Sequence, residues 1–192
     1  MGRKIRNFNT KDRNHMIFKT CKLNGAYIIE IEKIYDTRGY FARSFCREEL
    51  DEKNLNSYYV QCNLSFNRKK GTLRGMHFQR PPHEEIKLVS CVRGAIYDVI
   101  IDLRKNSDTY LQWQAFELSA DNKHILYVPK GFAHGFQTLE DSTEVFYQMS
   151  EFYYPEYSSG VRWDDEIFGI IWPDECNRII SEKDMSYRDY DA

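Results

Sequence analysis

The chain has 192 residues, enough for one well-cored domain and too few for two of ordinary size. Its 27 lysines and arginines and 29 aspartates and glutamates give a net charge of −2 and are scattered along the sequence, so no basic stripe indicates a nucleic-acid partner. No apolar run approaches the roughly 18 residues that a membrane span needs, and no basic amphipathic stretch indicates a membrane surface.

The first sixteen residues are polar and charged, and they lack the apolar core of a secretory signal. We therefore expect a polar leader over residues 1–22, a single domain over residues 23–192 and a cytoplasmic protein.

Short alternating or β-branched runs follow, separated by turn residues such as those at 36–39, 93–94 and 129–131. Residues 47–54 form the best candidate for a short helix. Many short strands with almost no helical period, together with 14 tyrosines and 12 phenylalanines, predict an all-β sandwich or barrel. The predicted strands span residues 26–31, 40–45, 58–63, 86–92, 95–103, 113–118, 124–128 and 143–149.

The cysteines are odd in number and widely spaced, with no C-x-x-C pair, which predicts reduced, mostly buried thiols rather than a zinc site or a disulfide framework. They are Cys21, Cys46, Cys62, Cys91 and Cys176.

Two of the five histidines, His77 and His134, stand close to glycines. A glycine lets a ligand or a neighbouring strand approach closely, so both histidines are candidates for lining a site, although each alone also fits an ordinary structural histidine. Arg74 and Lys87 flank the first of them, near strands that face one interior. Their charges fit a phosphate-bearing ligand, or pairing with acidic residues across the barrel, and the residues leave both possibilities open. The acidic candidates are Asp98, Asp102 and Glu84.

Histidines inside a barrel also raise the possibility of iron, manganese or zinc. Metal-binding cupins place two histidines one residue apart, with a carboxylate downstream and a third histidine on a later strand. Here Gln79 stands in place of the second histidine, and His83 follows two prolines in an expected loop. The sequence therefore predicts no metal, although the segment ending at His134 resembles the second cupin motif.

Motifs in a fixed order from about residue 24 to residue 187 resemble the dTDP-4-dehydrorhamnose 3,5-epimerase family. The most specific are Arg-Gly-Met-His-Phe-Gln at 74–79 and Gly-Phe-Ala-His-Gly-Phe at 131–136. The others are Asp36-x-Arg38-Gly39-x-Phe41, Val60-Gln61-x-Asn63-x-Ser65, Lys87-Leu88-Val89, Asp98-Val99, Asp102-Leu103-Arg104, Trp163-x-Asp165 and Ile171-Trp172-Pro173.

This resemblance implies a cupin, which is a double-stranded β-helix or jelly-roll barrel, with short flanking helices. It implies a homodimer that needs neither cofactor nor metal. Its substrate would be a nucleoside-diphosphate 4-keto-6-deoxy sugar, epimerised at C3 and/or C5 in the biosynthesis of a rhamnose-like deoxysugar.

The resemblance also assigns roles to individual residues. His77 would be the catalytic base, Asp184 the carboxylate that orients it, and Tyr147 the acid on the opposite face of the sugar. Arg74, Lys87 and His134 would bind the phosphates and the sugar, and Lys87 would also contact the enolate oxygen. Gln61 and Asn63 would lie near the nucleotide. Arg38 and Phe41 would reach the substrate from the partner subunit.

The chain departs from the family pattern around the expected nucleotide and partner contacts. Arg43 stands where the family usually has Glu, Cys62 replaces an acidic residue, Glu85 lies where Gln is common, and Phe152 replaces Tyr. The reaction class is therefore better defined than the nucleotide or the number of inverted carbons. Two alternatives remain, a sugar-nucleotide 3,4-ketoisomerase of the same fold and a non-catalytic sugar-nucleotide-binding cupin.

Overall fold

A computed structural model describes residues 14–191, which form fourteen β-strands and two short helices. Neither helix is long and apolar enough to cross a membrane within this part of the chain. The elements are β1 (Met16–Thr20), β2 (Tyr27–Ile31), β3 (Lys33–Asp36), β4 (Gly39–Ala42), α1 (Arg47–Glu52), β5 (Gln61–Asn67), β6 (Thr72–Gln79), β7 (Lys87–Arg93), β8 (Ala95–Asp102), β9 (Trp113–Ser119), β10 (Ile125–Val128), β11 (Phe132–Thr138), β12 (Thr143–Met149), β13 (Ser158–Gly160), β14 (Ile179–Ile180) and α2 (Glu182–Met185).

Two sheets pack face to face. The first has the order β1-β2-β10-β7-β12-β5, and the second has the order β13-β6-β11-β8-β9 with β14 added in parallel beside β6. Strands β3 and β4 form a separate hairpin. This is the jelly-roll barrel of the cupins, so the predicted all-β fold is confirmed.

The central core lies between the two sheets. Leu126 and Val145 of the first sheet pack in one cluster with Ile100 and Phe132 of the second. Strand β8 is buried on both faces, because Val99 points the other way from Ile100, into a cluster covered by the segment that carries Trp172. Strand β8 pairs with β11 along the whole length of β11.

Every predicted strand overlaps an observed strand, and the predicted helix overlaps α1. The strands that carry the histidine motifs, β6 and β11, are not among the predictions. Both contain glycine, which lowers the propensity of a segment for the extended state and obscures its pattern.

The boundary of the predicted leader differs from the structure. Strand β1 pairs with β2 along its whole length, and Met16 is buried while its backbone N–H donates to the Glu49 carboxylate of α1. Residues 14–22 therefore belong to the domain. The pairing of β1 at the edge of the first sheet satisfies the backbone hydrogen bonds of this strand, although its neighbours in the sequence are charged. Residues 1–13 of the predicted leader lie outside the described residues.

All five cysteines are free thiols, as predicted. Cys91 is buried, but Cys62 and Cys176 are exposed, so the predicted burial is wrong for these two. Cys62 lies on edge strand β5, with its side chain on the outer side of the sheet.

Two glycines explain the close approach of the two strands that carry the histidine motifs. Gly75 has φ +125°, and a Cβ built on it would lie 2.6 Å from the Cα of Gly135 on β11. Only glycine allows the two backbones to approach this closely. The pairing of β6 with β11 shifts at this point, and the register sets His77 directly opposite His134.

Candidate active site

A cavity of about 260 Å³ opens between the two sheets. Strands β6 and β11 form one wall, and β5, β7 and β12 form the other. Five of the predicted site residues line it: Arg74, His77, Lys87, His134 and Tyr147. The remaining lining residues are Ser65, Phe78, Gln79, Glu85, Gly135, Phe136, Met149, Tyr153, Ser158 and Lys183.

His77 is held by Asp184, which lies 107 residues later in the chain. The His77 Nε2 atom is 2.7 Å from Oδ1 of Asp184, and Oδ2 of the same carboxylate accepts the backbone N–H of Gly75 at 3.1 Å. Ser181 caps α2 by accepting the backbone N–H of Asp184. With both carboxylate oxygens engaged, the imidazole has one orientation, and its second ring nitrogen is left for a ligand in the cavity.

Asp184 is ionised at neutral pH. Burial alone would raise its pKa, but the hydrogen bond and charge of His77, together with the Gly75 N–H, outweigh burial and hold the pKa below its ordinary value of 3.8. A carboxylate in this state stabilises the imidazolium that forms when His77 takes up a proton.

Tyr147 approaches the cavity from the other sheet. Its strand, β12, pairs with β5 and β7, whereas His77 lies on β6 of the opposite wall. Burial raises the pKa of Tyr147 above its ordinary value, although the charge of Arg74 opposes the shift. The phenol therefore keeps its proton at neutral pH and is able to donate it into the cavity.

Basic side chains on the cavity wall outnumber the acidic ones. Lys87 pairs with Glu85 at 2.9 Å, so its partner is none of the three acidic candidates from the sequence. The Nε of Arg74 donates to the amide oxygen of Asn67 at 2.7 Å, and Lys183 adds a further positive charge. A wall of this composition suits a phosphate-bearing ligand.

His134 has its own buried carboxylate. Its Nε2 atom lies 3.0 Å from each oxygen of Asp98, which is fully buried on β8. Burial raises the pKa of Asp98 above its ordinary value, against the opposing effect of His134. Each imidazole of the cavity is thus hydrogen-bonded to an aspartate. The partner of His134 lies on the neighbouring strand β8, and the partner of His77 lies on α2.

Four predicted binding residues lie outside the cavity lining of this chain. Gln61 and Asn63 are hydrogen-bonded to each other at 3.1 Å on β5, next to Ser65 at the cavity edge. Arg38 pairs with Asp36 on the exposed hairpin of β3 and β4. Phe41, on the same hairpin, is 70 % exposed.

Gln79, which stands at the position of a metal-binding histidine, has its amide fully engaged. Its Nε2 donates to the backbone carbonyls of His83 and Phe152, and its Oε1 accepts the backbone N–H of Tyr154. The side chain therefore ties two loops to the barrel. Among residues 14–191, no group of three or more His, Cys, Asp and Glu side chains converges in the way a metal site needs.

Three cavity residues with ionisable side chains were not assigned to the site from the sequence. Lys183 directly precedes Asp184, and its place next to this predicted residue was the available signal. Tyr153 belongs to the aromatic run at 152–154, which has no strand pattern. Glu85 was noted as a departure from the family, but its partner depends on loop geometry that the residue order does not reveal.

A cupin barrel that holds a carboxylate-backed imidazole and a facing phenol defines an isomerase of the carbohydrate epimerase class. The family model described as dTDP-4-dehydrorhamnose 3,5-epimerase matches residues 20–191. The chain belongs to this family, so the predicted family and enzyme class are confirmed.

Relatives and solved structures agree with this assignment. The dTDP-4-dehydrorhamnose 3,5-epimerase of Methanothermobacter thermautotrophicus is 47% identical over 173 residues, which are 89% of this chain and 92% of the relative. The crystal structure of the Bacillus anthracis enzyme, with TDP and PPi bound, has a TM-score of 0.88 and 41% identity, and covers 92% of this chain and 100% of that chain. The Legionella pneumophila enzyme, in complex with dTDP-4-keto-L-rhamnose, has a TM-score of 0.85 and 34% identity over 90% of this chain and 92% of that chain.

Proposed function

We propose that this chain inverts C3 and C5 of a dTDP-linked 4-keto-6-deoxyhexose by proton transfer through an enolate. The observation that carries the proposal is the carboxylate-held imidazole of His77 on one wall of the cavity, with the phenol of Tyr147 on the other. The relatives named as 3,5-epimerases, and the related structures that contain TDP or a dTDP-sugar, support the nucleotide and both positions.

The proposed first step is removal of a proton beside the ketone. The carbonyl at C4 acidifies the C–H bonds at C3 and C5, because the resulting carbanion delocalises into an enolate. His77 takes the proton on the ring nitrogen that Asp184 leaves free, and the Asp184 carboxylate stabilises the imidazolium. The ammonium of Lys87 stabilises the negative charge on the enolate oxygen.

In the second step, Tyr147 returns a proton to the other face of the planar enolate. Since His77 and Tyr147 stand on opposite walls, removal and return occur on opposite faces, and the carbon is inverted. The raised pKa of Tyr147 supports this role, because the phenol is protonated when the enolate forms.

The binding roles follow from charge and position. Arg74 and His134 would contact the phosphates and the sugar, since both line the cavity. Gln61 and Asn63 would contact the nucleotide from the cavity edge, where their amides are already oriented by their mutual hydrogen bond.

We further propose that two copies form a homodimer in the cytoplasm. The outer face of β5 exposes Leu64 and Phe66, and the hairpin of β3 and β4 exposes Phe41. Leu64 and Phe66 lie two residues apart on one face of β5, and such neighbouring exposed apolar side chains are typical of an interface. In the dimer, the hairpin would bring Arg38 and Phe41 to the cavity of the partner subunit.

The proposed function is tested with dTDP-4-keto-6-deoxyglucose in deuterated water. We expect one deuterium at each of C3 and C5, and a product with both centres inverted, measured by mass spectrometry and NMR. CDP- and GDP-linked sugars serve as the comparison for the nucleotide. A migrated ketone in the product would indicate a ketoisomerase, and an unchanged mass would indicate a binding protein; either result would overturn the proposal.

A shared active site predicts complementation between two defective chains. We expect Arg38→Ala and His77→Ala each to be nearly inactive as separate proteins. After mixing through mild denaturation and refolding, random pairing gives one intact site in every mixed dimer, so activity should return to about a quarter of the wild-type value. Mixtures that stay inactive, although mass spectrometry shows mixed dimers, would contradict the partner role of Arg38.

A further inference from the structure

Glu85 is a buried acidic residue on the cavity wall that has no role in the proposed reaction. Its side chain is 5 % exposed, and it lies in the connection between β6 and β7. One carboxylate oxygen lies 2.9 Å from the Nζ of Lys87, and the other accepts the backbone N–H of Gln79 at 3.1 Å. The carboxylate is thus fixed at both oxygens.

Glu85 is the only carboxylate in ion-pair contact with Lys87 among residues 14–191, although the charges of Lys87 and the buried Asp98 also interact at longer range. The side chain of Lys87 is 10 % exposed, and its one other hydrogen bond among residues 14–191 is a long contact of 3.5 Å to the backbone carbonyl of His77. A buried ammonium without a carboxylate in contact is costly, so its side chain turns towards water. Glu85 prevents this, because it places a negative charge at a fixed position.

We propose that Glu85 is a positioning residue that holds the ammonium of Lys87 in place and directs it at the point where the enolate oxygen forms. The inference rests on the proposed function, since it assigns Glu85 a role in that reaction. Glutamine at this position would offer one acceptor oxygen and no charge, so it cannot hold Lys87 and the Gln79 N–H in the same way.

The same carboxylate also acts on Tyr147. Burial is the largest cause of the raised pKa of Tyr147, the charge of Arg74 opposes it, and the negative charge of Glu85 and the neighbouring Tyr153 add to it. Loss of the Glu85 charge therefore lowers the pKa of Tyr147. The phenol then loses its proton at a lower pH, and activity that needs the protonated phenol is lost earlier as the pH rises.

The test is Glu85→Gln, compared with Glu84→Gln as a matched control. Both variants remove one negative charge, but Glu84 does not line the cavity. We expect Glu85→Gln to lower kcat by about 10- to 100-fold, in line with the cost of misplacing a reacting group. KM should change by less than about threefold, because the phosphate contacts remain. The basic limb of the kcat profile should shift to lower pH, whereas Glu84→Gln should match the wild type in all three measurements.

The variant Glu85→Asp distinguishes a positioning role from a merely structural one, because it keeps the negative charge on a side chain that is shorter by one methylene group. We expect reduced kcat with the basic limb of the wild type, and this variant decides the question if Glu85→Gln does not fold. Wild-type kcat and pH profile in Glu85→Gln, or a shifted basic limb in Glu85→Asp, would overturn the inference. If the wild type itself incorporates no deuterium, the proposed function fails instead, so the two failures are distinguishable.

Discussion

Replacing His77 with alanine is expected to abolish both epimerisation and the incorporation of solvent deuterium next to the ketone. The imidazole is the cavity group that Asp184 orients for proton removal, and general bases contribute about 10² to 10⁴ in rate. Without it, no enolate forms, so exchange and inversion fail together. Mass spectrometry of the sugar nucleotide measures exchange, and NMR measures inversion.

The matched control is His124→Ala. His124 lies before β10, outside the described cavity, and its nearest acidic partner is Glu30 at 3.5 Å. We expect this variant to keep wild-type exchange and epimerisation. Deuterium incorporation at the wild-type rate in a folded His77→Ala protein would show that another group removes the proton.

Replacing Tyr147 with phenylalanine is expected to reduce epimerisation much more than the incorporation of solvent deuterium. His77 still removes the proton and exchanges it with solvent, so deuterium enters from the original face. Because the acid on the opposite wall is missing, net epimerisation should fall by about 10² or more, while exchange should fall much less. The ratio of exchange to inversion, taken from the same reaction mixture, measures the effect.

Tyr97→Phe provides the control for this change. The Tyr97 hydroxyl donates to the backbone carbonyl of Ile171, and its ring packs in the cluster on the outer face of the second sheet. Its loss should leave the ratio of exchange to inversion unchanged. Equal loss of both signals in Tyr147→Phe would argue against the phenol as the acid.

The barrel was largely predictable from the sequence, because most strands keep a short-period pattern between turn residues. Strand β1 was missed since its charged neighbours hide one buried residue, Met16, and since its pairing with β2 is decided by the fold. Strands β6 and β11 were missed because their glycines obscure the strand pattern. These glycines allow the two backbones to approach closely, which only the contact between Gly75 and Gly135 reveals.

The cavity was predictable through the resemblance rather than through pattern. His77 and Asp184 are separated by 107 residues, and no periodicity joins them. The partners of the basic residues were not predictable, because register and loop direction select them. Lys87 therefore pairs with Glu85, two residues away, whereas Asp98, which the sequence also offered, pairs with His134.

The two histidine–carboxylate pairs depend on different parts of the chain. Asp98 and His134 both lie on strands in the middle of the second sheet, so their pair can form once these strands meet. Asp184 lies on α2, the last element of the described chain, and follows every strand in sequence. The His134 pair therefore needs only β8 and β11, whereas the orientation of His77 also requires α2 to pack beside β6.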